Sequence, residues 1–152
     1  MNLVFFEPEI PQNVGTLIRT TACFGAHLHL IAPLGFVLTD KHLRRAHMDY
    51  KHMAHTCIHD SWSAFQRFLH TRDNVGLIGI TPDAFLDYTK ATYTPHDFLL
   101  VGSESTGLGQ DQKNTCNFTV RIPMAPEARS LNVAIAASMV MGEFLRQNCL
   151  FP

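Results

Sequence analysis

The feature that most constrains this chain is a regular alternation of short apolar segments with segments of helical periodicity. Residues 3–6, 28–32, 75–81, 98–102 and 118–122 predict strands, and residues 56–58 are a weaker candidate. Residues 12–24, 40–46, 60–70 and 131–147 predict helices. Because chains that alternate in this way fold as α/β domains, we expect a mainly parallel sheet flanked by helices.

Length and composition agree with a single folded unit. The chain has 152 residues, of which 46% are hydrophobic, and no repeat or low-complexity segment divides it. We therefore expect one domain over residues 1–152 without an added RNA-binding domain. No apolar stretch approaches the ~20 residues needed to cross a membrane, and no signal-peptide pattern opens the chain. These features predict a cytoplasmic protein that does not contact the membrane.

A glycine-rich segment, GSESTGLG at residues 102–109, follows the apolar run at residues 98–101. A phosphate-binding P-loop would place Lys-Ser or Lys-Thr after its last glycine, and this segment does not. The spacing also fails the G-x-G-x-x-G fingerprint of dinucleotide sites. The segment is either a loop whose backbone closely approaches another kind of ligand or a plain turn.

The charge distribution is uneven. The formal net charge is −1, so the chain as a whole does not attract nucleic acid. The basic residues Lys41, Arg44, Arg45 and Lys51 nevertheless cluster between residues 39 and 55. This segment is either a local RNA-binding patch or a solvated helix surface.

Metal ligands do not form a recognisable set. His47, Lys51 and His55 fall four residues apart, but no carboxylate or cysteine completes the set. The four cysteines form no C-x-x-C pair, which excludes the usual zinc knuckle and redox motifs. The sequence therefore predicts no metal site.

The last predicted helix is apolar on nearly every side. Between Leu131 and Gly142 only Asn132 and Ser138 are polar. A small monomer can hardly cover such a helix, so we expect a homodimer that buries it beside residues 12–24. A helix buried inside a three-layer monomer is the alternative. On the dimer interpretation, Val140→Glu should dissociate the two chains.

Three motifs occur in a defined order along the chain. They are NVGTLIR at residues 13–19, LVGSESTGL at residues 100–108, and IPM at residues 122–124 followed by RSLN at residues 129–132. The set resembles the SPOUT methyltransferase superfamily over nearly the whole chain. The opening EPEIP at residues 7–11 and the LRRA at residues 43–46 look specifically like its tRNA wobble-nucleotide 2′-O-methyltransferases.

The resemblance implies a fold and a cofactor. It implies a C-terminal trefoil knot whose loops hold S-adenosylmethionine, and the anticodon stem-loop of a tRNA as the partner, with cytidine or modified uridine at the wobble position. The residues that match cofactor-binding positions are Ile80, Thr81, Gly102, Glu104, Gly107, Ile122, Ser130 and Leu131. We expect Gly102→Val to weaken cofactor binding by occupying the space that the ligand approaches.

The resemblance also implies catalytic and RNA-binding residues. Arg19, which is effectively always protonated, is expected to hold a phosphate and stabilise developing oxyanion charge. Asn13 and Asn132 are expected to orient it, and Glu104 to hold Asn13, Arg19 or the cofactor. The structural alternatives are a helix cap for Asn13, a surface ion pair for Arg19, a turn carboxylate for Glu104 and a first-turn polar residue for Asn132. The expected RNA-binding residues are Arg19, Lys41, Arg44, Arg45, Lys51 and Arg129.

The chain departs from its relatives at two places. Where members of the family that it resembles often carry a Ser-Asn pair, this chain has Ala134 and Ile135, and where they often carry a tyrosine it has Gly142. These departures concern substrate recognition more than the cofactor fold, and close helix packing is expected to compensate for Gly142. Methylation of another tRNA or rRNA position, or a non-catalytic RNA-binding module with the same fold, are the alternative functions.

Overall fold

The structure is a computed structural model that describes residues 1–37 and 55–152. Its described strands form one sheet and are β1 (Asn2–Phe6), β2 (His27–Ile31), β3 (His55–His59), β4 (Leu77–Ile80), β5 (Leu86–Asp87), β6 (Phe98–Val101) and β7 (Phe118–Arg121). Their order is β3-β2-β1-β6-β4-β7-β5, and all neighbouring strands are parallel. The expected α/β class with a parallel sheet is confirmed, and the weak candidate at residues 56–58 is a strand.

The described helices are α1 (Pro11–Cys23), α2 (Trp62–His70), α3 (Gln110–Thr115) and α4 (Val133–Asn148). Pro11 suits the first position of α1 because its fixed φ is helical and its missing N–H would have no partner there. Ser61 caps α2 by accepting a hydrogen bond from the Ala64 N–H at 3.2 Å, so this helix begins after the predicted residue 60. The helix predicted at residues 40–46 lies outside the described residues.

Two apolar cores cover the two faces of the sheet. On one face α1 and α4 pack together over Leu3 and Phe5 of β1. On the other face Val4 packs with Phe65 of α2. Side chains alternate across a strand, so β1 alone contributes to both cores. The loops that leave the carboxyl ends of the strands therefore lie between two helical layers.

Helix α4 has a buried side and an exposed side. Ala137, Val140 and Phe144 are fully buried in the core, whereas Ile135 and Met139 expose 54% and 38% of their surface. Val140→Glu would therefore disrupt the monomer core, and the choice of Val140 as an interface probe was wrong. Around Gly142 no atom lies within 4 Å of the position that a Cβ would occupy. Close packing within the described chain therefore does not explain why a glycine occupies position 142.

The strand order requires a connection that passes across a strand formed later in the chain. Strand β7 lies between β4 and β5, although it follows both in the sequence. Residues 81–85, which connect β4 to β5, must therefore pass across β7. A trefoil knot requires a crossing of this kind, and the knot itself stays a prediction. None of the helices in the described ranges is long and apolar enough to span a membrane.

Two pairs of histidines lie side by side on the neighbouring strands β2 and β3. His27 stacks on His55, and His29 lies with its Nδ1 3.0 Å from Nε2 of His59. His29 is only 3% exposed. Burial, followed by the charge of His59, lowers the pKa of His29 to about 4. In residues 1–37 and 55–152 no three potential metal-binding side chains gather at one point.

Candidate functional site

A cavity of about 630 Å³ lies where β4, β6 and β7 end. Ligand-binding cavities commonly have volumes of ~300–1,000 Å³. All the residues that match cofactor-binding positions line it: Ile80, Thr81, Gly102, Glu104, Gly107, Ile122, Ser130 and Leu131. Val101, Leu108 and Val133 add apolar surface to its wall. The chain thus brings together residues from three separate loops around one space.

The loop at residues 102–107 folds back on itself. The Gly107 N–H donates a hydrogen bond to the Ser103 carbonyl at 2.9 Å, and Gly107 has a φ of +68°. A Cβ on Gly102 would lie 2.0 Å from the Gly107 carbonyl carbon. The space beside Gly102 is therefore filled by the loop's own backbone. Gly102 is needed so that the loop can close, and the expected reason for its substitution effect, blocked ligand approach, was wrong.

The Glu104 carboxylate joins this loop to the start of α1. Its Oε2 accepts a hydrogen bond from the Glu9 N–H at 2.7 Å. Its Oε1 accepts from the Ile10 N–H at 3.1 Å and from Asn13 Nδ2 at 2.9 Å. Ile10 is the N-cap of α1 and has no side-chain hydrogen bond of its own. A carboxylate from a distant loop thus binds the N–H groups at the positive end of this helix.

Glu9 completes a reciprocal contact with the same loop. Its carboxylate accepts from the Ser105 hydroxyl at 2.6 Å and from the Ser105 N–H at 3.1 Å. Each of two adjoining segments therefore donates N–H groups to a carboxylate of the other. Nothing in the sequence spacing predicted Glu9 as a partner of the loop.

Asn13 and Asn132 extend the contact to α4. Asn132 Nδ2 donates to Asn13 Oδ1 at 2.9 Å. The Asn132 side chain also caps α4, because its Oδ1 accepts from the Ala134 and Ile135 N–H groups at 2.9 and 3.3 Å. Asn13 lies inside α1 and is not its cap, so that alternative was wrong. Glu104, Asn13 and Asn132 form one hydrogen-bonded chain from the loop to α4, which we call the Glu104 network.

The predicted cationic residues lie outside the cavity wall or outside the described residues. Arg19 is exposed on α1, six positions after Asn13, and does not line the cavity. Arg129 is exposed in the loop before α4. Lys41, Arg44, Arg45 and Lys51 fall in the segment that is not described. A single chain therefore does not bring Arg19 into the cavity wall together with the Glu104 network.

A second polar cluster lines the cavity on the side of α3. Asp83 Oδ1 accepts from the Thr81 hydroxyl at 2.5 Å, and Asp83 Oδ2 accepts from Lys113 Nζ at 2.5 Å. The bond from Lys113, followed by the bond from Thr81, holds the pKa of Asp83 below its ordinary value. The motifs pointed to Thr81 alone. Asp83 and Lys113 are 30 residues apart, and no spacing rule connects them.

Comparison with known proteins places this chain in a family. Residues 1–142 match the model of the SpoU rRNA Methylase family. A tRNA (cytidine(34)-2'-O)-methyltransferase from Beijerinckia indica is 41% identical over 145 residues, covering 95% of this chain and 90% of the relative.

Solved structures agree with that match. One that concerns the 2-OH methylation of C/U34 on tRNA has a TM-score of 0.86 and 38% identity, and covers 96% of this chain and 94% of its own. The SpoU methyltransferase AviRb from Streptomyces viridochromogenes, solved with its cofactor AdoMet (S-adenosylmethionine), has a TM-score of 0.88 and 28% identity, over 97% of this chain and 60% of its own. The chain belongs to the SpoU rRNA Methylase family.

Proposed function

We propose that this protein transfers a methyl group from S-adenosylmethionine to the ribose 2′-hydroxyl of the tRNA wobble nucleotide, a cytidine or a modified uridine. The observation that carries the proposal is the cavity at the ends of β4, β6 and β7. Every motif residue expected to bind cofactor lines it, in a chain 41% identical to a tRNA (cytidine(34)-2'-O)-methyltransferase. We infer a cytoplasmic location because tRNA is modified there.

The cavity suits this cofactor in size and chemistry. Apolar side chains such as Ile80, Leu108 and Ile122 can flank an adenine ring, and backbone groups at Gly102 and Leu131 can bind its polar edges. The cofactor supplies a methyl group on a sulfonium sulfur, and its transfer breaks the carbon–sulfur bond, leaves both electrons on sulfur and releases the proton of the ribose hydroxyl. The work left to the protein is to position both reactants and to stabilise the developing negative charge.

We assign to Arg19 the stabilisation of the negative charge that develops on the ribose oxygen. A guanidinium stays protonated at any physiological pH, so it cannot accept the hydroxyl proton. It can bind the adjacent phosphate and lower the energy of the developing oxyanion. The proton then leaves to water or to an RNA group.

Asn13, Glu104 and Asn132 are positioning residues in this proposal. Their polar atoms bind one another and the N–H groups of α1 and α4. They therefore fix α1, which carries Arg19, relative to the loop at residues 102–107. A direct contact of these side chains with the reacting atoms is not required.

Lysine and arginine side chains are assigned the contacts with the tRNA. We propose that Lys41, Arg44, Arg45, Lys51 and Arg129 bind phosphates of the anticodon stem-loop. Because phosphate contacts are sequence-independent, they would orient the RNA without selecting the tRNA. The base at the wobble position would be selected elsewhere.

A second copy of the chain completes the proposal. Leu131, Ile135 and Met139 repeat at intervals of four residues and expose 39%, 54% and 38% of their surface. Ile135 and Met139 lie one turn apart on α4 and Leu131 just precedes that helix, and such a row of exposed apolar side chains marks a surface that a partner covers. Leu131 also lines the cavity, so a homodimer through this row would place the partner beside the cavity mouth.

The test is methyl transfer to total tRNA, with the modified nucleotide mapped by mass spectrometry of nuclease fragments. A 2′-O-methyl group at the wobble nucleotide is the expected result. Modification at another tRNA or rRNA position would show a different substrate, and cofactor binding without transfer to any RNA would show a binding module. Either of these results would overturn the proposed function.

The variant Arg19→Ala tests whether Arg19 stabilises the developing negative charge. We expect cofactor affinity to stay the same and the single-turnover rate at saturating tRNA to fall by ~10²-fold or more. Arg19→Lys should recover only part of the rate, because an ammonium cannot replace a planar two-point donor. Arg67→Ala, on the exposed side of α2, is the matched control and should leave the rate unchanged. A normal rate in Arg19→Ala would exclude the assigned role.

A further inference from the structure

The cavity has two carboxylates among the described residues of its wall, and they differ in exposure: Glu104 is half-buried, whereas Asp83 is exposed. Glu104 already accepts from the Glu9 N–H, the Ile10 N–H and Asn13 Nδ2. Asp83 accepts from Thr81 and Lys113, and its side chain is 63% exposed. The backbone N–H of Asp83 is a third donor, but the exposed side chain leaves one edge of this carboxylate open to a ligand. Asp83 is therefore the carboxylate available to a ligand.

The two carboxylates stand at different parts of the cavity. Glu104 contacts α1, which packs on one face of the sheet together with α4. Asp83 contacts Lys113 of α3, which lies on the opposite face beside α2. A ligand that fills the cavity extends across the end of the sheet between them. Its polar groups on the α3 side meet Thr81, Asp83 and Lys113.

Charge decides which kind of ligand group Asp83 accepts. The Lys113 ammonium lies 2.5 Å from Asp83 Oδ2 and forms an ion pair with it. A second cation at this place, such as the α-ammonium of an amino acid, would be repelled by Lys113. Neutral O–H donors are not repelled, and bonds to an ionised acceptor are stronger than bonds between neutral groups. Two adjacent hydroxyl groups can donate together to the exposed edge of such a carboxylate.

We propose that Asp83 binds the ribose 2′- and 3′-hydroxyl groups of the cofactor's adenosine moiety, with Thr81 and Lys113 fixing its carboxylate. The inference rests on the proposed cofactor. It assigns the α3 side of the cavity to the nucleoside and leaves the side of the Glu104 network to the methionine part and the incoming RNA. It also explains why Thr81, a buried residue at the end of β4, has its hydroxyl turned to a charged partner.

Calorimetry with S-adenosylhomocysteine and its 2′-deoxy and 3′-deoxy analogues tests this assignment. We expect the wild-type protein to bind each analogue about 10- to 100-fold more weakly than the parent, the range for a lost bond to a charged group. Asp83→Ala should bind the parent more weakly by a similar factor, and it should no longer distinguish the parent from the analogues. This loss of discrimination cannot result from a general weakening of the cavity.

Two variants separate binding from structural support. Lys113→Met removes the ion pair but leaves the Asp83 carboxylate, so the preference for the parent ligand should persist. Asp111→Ala removes an exposed carboxylate from the same helix and should change neither affinity nor preference. Thermal melts establish that every variant is folded, and Asp83→Asn replaces Asp83→Ala if the latter is not.

The outcomes distinguish this inference from the proposed function. If the wild-type protein binds no S-adenosylhomocysteine, the proposed function is wrong. If it binds the ligand but Asp83→Ala discriminates against the deoxy analogues as the wild type does, the assignment of Asp83 is overturned and the cofactor stays. Equal loss of discrimination in Asp83→Ala and Lys113→Met would also overturn it, because the ion pair would then act only by shaping the wall.

Discussion

Replacing Glu104 by glutamine changes one oxygen into an NH₂ group at the point where three segments meet. Three N–H donors in the described part of the chain bind this side chain: Glu9 N–H, Ile10 N–H and Asn13 Nδ2. The amide can keep its oxygen at the position of Oε1, where it accepts two of these bonds. Its NH₂ group would then face the Glu9 N–H across 2.7 Å, and two donors at that distance repel each other.

The loss in the free energy of unfolding can be estimated from the hydrogen bonds that change. One charge-assisted hydrogen bond is lost and two are weakened to neutral bonds, while water can reach the exposed Glu9 and Ile10 N–H groups and offsets part of the loss. A hydrogen bond to a charged group contributes about 1.5–3 kcal/mol, so we expect a loss of about 2–3 kcal/mol. In a domain of this size each kcal/mol lowers Tm by about 2–4 °C, which gives a fall of about 4–12 °C.

Differential scanning calorimetry of the protein without ligand measures this effect. Glu127→Gln is the matched control, because Glu127 is exposed in the loop before α4 and the same change there should leave Tm unaltered. A second measurement, the affinity for S-adenosylhomocysteine, should also fall, because the loop at residues 102–107 loses its attachment to α1. If Glu104→Gln melts with the wild type, the Glu104 network does not hold these segments together and the reasoning is refuted.

Three further predictions follow from the structure. Gly102→Ala should lower the Tm of the ligand-free protein, because the new Cβ would overlap the Gly107 backbone; a normal Tm with weakened cofactor binding alone would contradict this. Stability should fall as the pH is lowered, because the pKa of His29 is about 4 in the folded state, below its unfolded value. This contribution is present above about pH 6.5, and roughly 2 kcal/mol of it is lost by about pH 5. Urea unfolding at both pH values measures the loss, and His29→Phe should reduce it. Ile135→Glu should give a monomer in sedimentation while keeping the far-UV circular dichroism of the folded chain, and a persistent dimer would show that this row is not the interface.

The parts of the fold that were predicted are those with local signals. The central strands β1, β6 and β4 are runs of mostly apolar residues, and buried parallel strands have this pattern. The cavity could be expected at residues 102–107 because glycines there stand directly after a strand, and the order of the motifs named its other walls. The apolar runs and the glycines are local signals, whereas the other walls of the cavity were predicted only through the resemblance to a known family.

The parts that were missed depend on contacts over long separations. Strand β5 has two residues, and α3 has six, of which only Gln112 is buried, so neither has a periodicity to detect. The contact of Gly102 with the Gly107 backbone follows from a loop conformation. The position of Val140 in the core depends on which side of an almost wholly apolar helix meets the sheet, and the sequence of the helix does not decide this.

The Glu104 network has a consequence for how Arg19 and the cavity cooperate. Arg19 follows Asn13 by six residues on α1, which places it about 9 Å further along the helix axis at 1.5 Å per residue. Asn13 is bound both to Glu104 of the cavity loop and to Asn132 at the start of α4. The backbone of α1 therefore holds a fixed position relative to the cavity, although Arg19 is not part of its wall. In the proposed mechanism the reacting ribose lies between the cavity and Arg19, and a displacement of about 1 Å can cost ~10²-fold in rate. Substitutions in this network should therefore slow methyl transfer even at saturating RNA and cofactor, without removing any group that touches the RNA.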